Sequence, residues 1–346
     1  MILTLSPLIL ALWLANLSQR KRVEGEVQTE RLLKLLAYGI LALVYGGLIL
    51  FGLLLHGMAL LGGGQPDFVE MLAELGVTPG ALSRMALAMW LPSLLGLFML
   101  TRPARRLAAR ISNIDPAHPV HAVALSMAAL ILINLLFTLG VGIDNLANIL
   151  ETAAEPGVGA VSVSAVWAQN IAFLLMSFIG VGLLAHRTFR GALNRLGIVR
   201  PTWQQAALGA GFGILLAPLI LLLEALASHF SLGASAEVEK LTEILIGPLT
   251  TSFGGVLTLG LAAALGEESV FRGALQPRFG LVLTALLFAL LHSQYGLSFS
   301  TFAVFGVGLV LGLLRMRANT TTAMLMHALY NILLGAIGYF GWLQNL

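Results

Sequence analysis

Two adjacent carboxylates and an arginine stand at the end of an apolar run near the C-terminal end of the chain. Glu267 and Glu268 are followed by Arg272 after three intervening residues. An ionised side chain at membrane depth costs at least a few kcal/mol, so adjacent acids there indicate a functional site. Glu268 and Arg272 share one helix face, whereas Glu267 is turned by about 100°. The spacing predicts a structural Glu268–Arg272 ion pair and leaves Glu267 as the candidate general base.

Two further motifs place histidines within apolar runs. Phe288 precedes His292 by four residues, and His327 precedes Asn331 by the same spacing. A carboxylate and an imidazole can share a water and deprotonate it as it attacks a carbonyl, so Glu267 and His292 are candidate catalytic residues. His327 and Asn331 are donors suited to stabilising the oxyanion that forms. The chain has no cysteine, and no serine stands out beside a base, so a covalent acyl-enzyme is not indicated.

The elements that carry these groups must bring them to one depth. With a rise of about 1.5 Å per residue, Glu267 lies about 14 Å above a helix end at Gln276, and His292 lies about 16 Å from Leu281. His327 and Asn331 lie about 12 and 18 Å from Asn319. The agreement predicts a single buried site toward the cytoplasmic half of the membrane.

The composition is that of a membrane protein. Hydrophobic residues make up 58% of the chain and charged residues only 10%, with a mean hydropathy of +0.93, which excludes a typical soluble domain. The fold class we expect is all-α, a polytopic bundle of about ten spans. The net charge of +3 falls in short gaps between apolar runs, so it indicates topology and no nucleic-acid partner. The predicted spans are at about 2–17, 35–61, 85–100, 121–143, 165–186, 205–227, 250–276, 281–296, 298–314 and 320–343.

Lysine and arginine alternate between the gaps. Gaps one, three and five hold thirteen of them, and gaps two, four and six hold only Arg84 and Lys240. Because basic gaps stay in the cytoplasm, both termini are expected outside, with the active site opening toward the cytoplasm. Short amphipathic stretches in the outer gaps are expected to lie on the membrane surface. The glycine pairs Gly209/Gly213 and Gly308/Gly312 have the spacing of closely packed helices.

The ordered set of motifs resembles the CAAX prenyl endopeptidase and bacteriocin-processing (CPBP, Abi) family of intramembrane proteases. The matching residues are Glu267, Glu268, Arg272, Phe288, His292, His327 and Asn331. The resemblance covers residues from about 247 to 340 and implies a helical bundle with a catalytic cavity in its C-terminal helices. It implies that Glu267 and His292 activate water, that His327 and Asn331 form the oxyanion hole, and that Glu268 and Arg272 brace the site.

These observations predict an intramembrane endopeptidase of a bacterial inner membrane. We expect residues 1–200 to be transmembrane helices of unknown role and 201–346 to be the protease core. The partners expected are the lipid bilayer and a peptide or protein substrate with a membrane-embedded or lipidated end.

Three alternatives stay open. One is a catalytically silent scaffold or a bacteriocin-immunity protein of the same fold. Another is a zinc-dependent protease whose ligands would be Glu267, His292 and His327, although the HExxH helix is missing; otherwise no cofactor is expected. The third is a proton-coupled transporter, which the lack of an internal repeat disfavours.

Overall fold

The computed structural model describes residues 2–153 and 161–341, and they form a bundle of α-helices without β-strands. Eight of the described helices are long and apolar enough to cross a membrane. The N-terminal half contains α1 (Ile2–Val23), α2 (Val27–Gly62), α3 (Pro66–Glu74), α4 (Pro79–Met99), α5 (Arg102–Ala108), α6 (Pro119–Val141), α7 (Ile143–Ala153), α8 (Val163–Gly180) and α9 (Phe189–Leu196). The C-terminal half contains α10 (Trp203–His229), α11 (Ala236–Thr250), α12 (Phe253–Phe279), α13 (Leu281–Leu291), α14 (Phe299–Arg317) and α15 (Thr320–Tyr339).

The prediction of a polytopic all-α bundle is therefore confirmed, whereas the predicted number of ten spans is not: the eight helices correspond to eight of the predicted spans, and the runs at 2–17 and 281–296 are not among them. The run at 281–296 does not form one helix across the membrane: α13 stops at Leu291, and its 11 residues cover only about 17 Å, against a hydrocarbon core of about 30 Å. A 3₁₀ turn (Ser293–Tyr295) follows it. The hydropathy of the run did not reveal this break, because the polar patch at Ser293 and Gln294 is short and the segments that flank it are apolar.

Helix α12 is the central helix of the C-terminal half. Its most apolar window is 56% buried within the protein, compared with 17% for α2. It packs against α8 on one side and α15 on another, and α15 also packs against α10. Because α8 lies within the first 200 residues, the two predicted segments share an interface beside the candidate site.

Glycines set the distance between these helices. A Cβ on Gly260 would lie 2.5 Å from the Ala328 carbonyl oxygen, so α15 can approach α12 only because that side chain is missing. The predicted glycine pairs also lie at helix contacts. A Cβ on Gly209 would lie 2.6 Å from the Thr322 carbonyl oxygen of α15, and one on Gly213 would lie 2.7 Å from the Met326 carbonyl oxygen. Gly308 and Gly312 face Ala285 and Leu281 of α13 in the same way.

The basic gaps lie together at one end of the bundle. Backbone and side-chain bonds join them in series: Arg22 to the Ala117 carbonyl, Asn113 to the Arg278 carbonyl, Arg195 to the Gly273 carbonyl, and Thr320 to the Gly197 carbonyl. At the opposite end, Lys240 of α11 contacts Asn148 and Glu151 of α7. Both helices form in gaps where amphipathic stretches were predicted. The basic gaps therefore lie at one end of the bundle and the amphipathic helices at the other, in agreement with the charge alternation from which the membrane orientation was predicted.

Candidate active site

A fully buried carboxylate connects two of the three motifs. Glu268 is 0% exposed, and its Oε1 lies 2.8 Å from His327 Nδ1. Its Oε2 lies 3.3 Å from Nε of Arg272, which is also 0% exposed. The i,i+4 ion pair predicted from the sequence is present, although its geometry falls short of a hydrogen bond. Arg272 also donates from Nη2 to the Gly308 carbonyl at 3.3 Å, which ties α12 to α14.

Phe288 brings the second motif to the same depth in the bundle as Glu268, Arg272 and His327, and we call this depth the catalytic layer. The Arg272 guanidinium lies 4.4 Å from the centre of the Phe288 ring, a distance that allows a cation–π contact. The same ring is 4.9 Å from the His292 ring and 6.0 Å from the His327 ring. The three sequence segments therefore meet around one aromatic side chain, as their equal depths predicted.

His292 lies at the end of α13, where the backbone leaves the helix. Its Nδ1 is 2.8 Å from the Phe288 carbonyl oxygen, which can only accept, so Nδ1 carries the proton in the neutral ring. Nε2 is then the basic nitrogen. The ring also stacks on Tyr295, with centroids 6.2 Å apart. The local geometry fixes which nitrogen of His292 can accept a proton.

Glu267 differs from Glu268 in its surroundings. It is half-buried, and its Oε2 is buried without a hydrogen-bond partner among the described protein groups. No hydrogen bond joins it directly to His292 in the part of the chain that the structure describes. Oε2 of Glu268 also lacks a hydrogen-bond partner, so the two acids differ in their burial and in the His327 and Arg272 contacts that only Glu268 makes.

Asn331 and His327 form bonds that sequence reasoning did not assign. Asn331 Nδ2 donates one N–H to the Leu259 carbonyl at 3.2 Å, and its second N–H is not part of that bond. His327 donates from Nδ1 to Glu268, because an ionised carboxylate can only accept. Both residues lie in the layer, and their role at an oxyanion stays a prediction.

The backbone of α12 changes its winding at the catalytic stretch. An α-helix runs through Phe253–Glu268, a π-helical segment follows at Ser269–Leu275, and a last α-turn ends the element. π-Helical segments are rare and occur often at functional sites. The segment begins directly after the glutamate pair, and no residue type in the sequence indicated it.

A neighbouring helix approaches α12 at this point. A Cβ on Gly266 would lie 2.5 Å from Oδ1 and 2.6 Å from the backbone oxygen of Asn170 in α8. The glycine that precedes the two acids therefore lets α8 pack directly on the catalytic stretch.

Polar residues of α6 hold the segment that follows His292, and sequence reasoning assigned them no such role. Ser293 Oγ accepts from Asn134 Nδ2 at 2.9 Å and from Thr138 Oγ1 at 3.1 Å. The signal that could have located this contact is the short polar patch between α13 and α14, which needs partners inside a membrane.

The zinc alternative requires three ligands that lie close together. Among the described residues, no group of three His, Asp or Glu side chains could hold a metal ion. Glu267, His292 and His327 therefore do not form such a group.

Residues 249–333 match the family model "Type II CAAX prenyl endopeptidase Rce1-like". The match contains all seven candidate residues and agrees with the resemblance derived from the motifs. At the level of the family it supports an intramembrane CAAX-type endopeptidase. No curated protein and no solved structure gives a significant match to the chain.

Proposed function

We propose that this chain, whose residues 249–333 match the Rce1-like CAAX endopeptidase family, hydrolyses a peptide bond by water that Glu267 activates. One observation supports this assignment most directly. Of the two adjacent acids, Glu268 is fully buried between His327 and Arg272, whereas Glu267 is half-buried and has no hydrogen bond or ion pair with a described residue. Glu267 is therefore the acid whose proton affinity can be used in the reaction.

The reaction begins when water attacks the scissile carbonyl carbon. Glu267 takes a proton from the water, and Nε2 of His292 accepts a second hydrogen bond from it. The tetrahedral intermediate collapses when the carbon–nitrogen bond breaks, and the protonated Glu267 returns its proton to the leaving amine. Atoms and charge balance without a covalent enzyme intermediate.

The oxyanion is stabilised by groups of α15. Asn331 has one amide N–H beyond the one that it gives to Leu259. His327 can donate from Nε2 only in the doubly protonated ring, because its Nδ1–H is already given to Glu268. Donors placed where charge develops supply a large part of the rate in such reactions.

The substrate proposed is a peptide or protein with a membrane-embedded or lipidated end. The layer lies within membrane-spanning helices, so the scissile bond has to be brought to membrane depth. The family name adds a prenylated CAAX end as one such substrate.

The test is cleavage of peptides by the purified full-length chain in proteoliposomes. Matched peptides with and without a prenyl group distinguish the lipidated substrate from an unmodified one. We expect Glu267→Gln and His292→Ala each to lower the rate by about 10²- to 10⁴-fold, the usual contribution of a general base. Glu30→Gln is the control, because that acid lies in α2 and pairs with Lys34 at 2.7 Å.

Full activity in both variants would overturn the mechanism. A chelator is expected to leave the rate unchanged, and a loss that zinc restores would return the metal alternative. If the wild type cleaves none of the peptides and a cellular phenotype survives Glu267→Gln, the silent scaffold is the better description.

A further inference from the structure

A cavity of about 370 Å³ lies beside the candidate active site, between α1, α6, α8, α12 and α13. Its size falls in the range of about 300–1,000 Å³ typical of ligand pockets. None of the seven candidate catalytic residues lines it. Two of its lining residues lie next to the candidate catalytic residues. Leu291 directly precedes His292, and Val270 lies about one helical turn from Glu267. No role in peptide hydrolysis has been assigned to this space.

The inner part of the cavity is hydrocarbon-like. Leucine, methionine and phenylalanine side chains from five helices line it, among them Leu8, Met127, Phe173, Phe271 and Leu287. From Val270 to Arg278 it extends for about 12 Å along the axis of α12. A space of this shape and lining suits an extended apolar chain.

The mouth of the cavity is basic. Arg187, Arg195 and Arg278 line it, together with the three histidines His118, His121 and His186. Among the described lining residues none is Asp or Glu. These arginines lie at the end of the bundle where the basic gaps gather, which is the predicted cytoplasmic face.

The three guanidinium groups keep N–H donors that no described protein group accepts. Arg187 donates from Nε to the Val181 carbonyl and Arg195 from Nη1 to the Gly273 carbonyl, so each keeps further N–H groups. The Arg278 side chain has no hydrogen bond or ion pair with any described residue. None of the three has a carboxylate within 4 Å in the described chain, where the ion pairs involve other residues.

The charges at the mouth also act on one another. Burial, together with the nearby positive charges of Arg278, Arg187 and Arg315, lowers the pKa of Arg195 to about 10. Burial likewise lowers the pKa of His118 to about 4. The carboxylate nearest to His118 belongs to Asp115, and it accepts the Ala117 backbone N–H at 2.8 Å. Cations that repel one another at a pocket rim are stabilised by an anion.

We propose that this cavity binds one anionic phospholipid, with its phosphate among Arg187, Arg195 and Arg278 and one acyl chain in the apolar part. Phosphate is the anion that arginine N–H groups bind in a forked geometry. Basic pockets between transmembrane helices on the cytoplasmic side are a known place for such headgroups. The acyl chain would end next to Leu291, beside the catalytic layer.

The test uses the delipidated full-length chain and native mass spectrometry. The probes are phosphatidylglycerol, phosphatidylcholine with the same acyl chains, and glycerol phosphate. One phosphatidylglycerol is expected to bind at least tenfold more tightly than phosphatidylcholine. The double variant Arg187→Gln/Arg278→Gln should weaken it about 30-fold, since each basic residue near a membrane surface contributes about 1 kcal/mol. Arg190→Gln, an exposed arginine of α9 outside the cavity, is the matched control and should bind as the wild type does.

A second pair of variants tests the acyl-chain position. Ala128→Phe fills the cavity and should lower phosphatidylglycerol binding about tenfold, whereas Ala42→Phe on an exposed face of α2 should not. Equal binding of the two phospholipids would overturn the proposal, as would equal losses in the double variant and the Arg190 control. Binding that glycerol phosphate displaces completely and that Ala128→Phe leaves unchanged would mean an anion site without a lipid. Size-exclusion profiles identical to the wild type show that the variants are folded.

Discussion

Tyr45 and Glu268 are both fully buried polar side chains, yet their surroundings differ in kind. The Tyr45 hydroxyl donates to the Ser126 carbonyl at 2.6 Å, and the Ser126 hydroxyl donates to the Gly96 carbonyl at 2.7 Å. These neutral bonds join α2, α4 and α6, and each donor has one acceptor. Around Glu268 the groups are charged, and several buried atoms lack a hydrogen-bond partner, including Arg272 Nε, Glu268 Oε2 and Glu267 Oε2.

The difference separates a contact that stabilises packing from one that serves chemistry. A neutral donor with one carbonyl acceptor gains a modest free energy and leaves nothing unsatisfied. A buried ion pair is often no more stable than an apolar replacement, so stability alone does not explain Glu268 and Arg272. We interpret the N-terminal contact as structural and the C-terminal layer as functional.

Removal of one charge from the layer should have the largest effect on stability. Arg272→Met leaves the Glu268 carboxylate buried with His327 alone, and we expect a loss of about 3–5 kcal/mol in the free energy of unfolding. Denaturant unfolding in detergent micelles measures it. The double variant Glu268→Gln/Arg272→Met should lose less than the single one, because no uncompensated charge remains. A cost below about 1 kcal/mol for Arg272→Met would mean that the pair is solvated.

Alanine substitutions at two closely packed glycines, Gly96 and Gly266, should affect stability alike and peptide cleavage differently. A Cβ would lie 2.4 Å from Tyr45 Cζ at Gly96 and 2.5 Å from Asn170 Oδ1 at Gly266. Each alanine should cost about 1–3 kcal/mol of stability, the usual effect of overpacking. Only Gly266→Ala should also slow peptide cleavage, because it displaces α8 from the stretch that holds both glutamates.

The matched control for the glycine pair is Gly254→Ala, also in α12, where a Cβ would meet nothing within 4 Å. It should leave the rate unchanged and the stability unchanged or slightly higher, since alanine favours a helix over glycine by about 1 kcal/mol. Equal losses of activity from Gly96→Ala and Gly266→Ala would contradict the distinction between the two regions.

The sequence predicted those parts of the site that depend on one helix. Glu268 and Arg272 are four residues apart on α12, so they lie within about one helical turn of each other, and their charged atoms are 3.3 Å apart. Phe288 and His292 are likewise close, with ring centres 4.9 Å apart. The common depth of the three motifs was also predictable, because the rise per residue is nearly constant.

Contacts between distant segments could not be predicted in the same way. Glu268 and His327 are 59 residues apart, and their 2.8 Å contact depends on the register between α12 and α15. That register depends on Gly260, whose missing side chain lets the helices approach. The end of α13 at Leu291 was also missed, because it depends on what the following polar residues bond to in α6.

The smallest expected effect tests the structural half of the comparison. Tyr45→Phe removes the hydroxyl that donates to the Ser126 carbonyl, while the ring keeps its packing against Gly96. The free energy of unfolding should fall by about 1 kcal/mol, the net contribution of a neutral hydrogen bond, and peptide cleavage should continue at the wild-type rate. Unfolding in micelles and the peptide assay measure the two quantities on one preparation. A tenfold slower cleavage would show that the contact between α2 and α6 acts on the catalytic layer, and the two regions would then have to be treated as one functional unit.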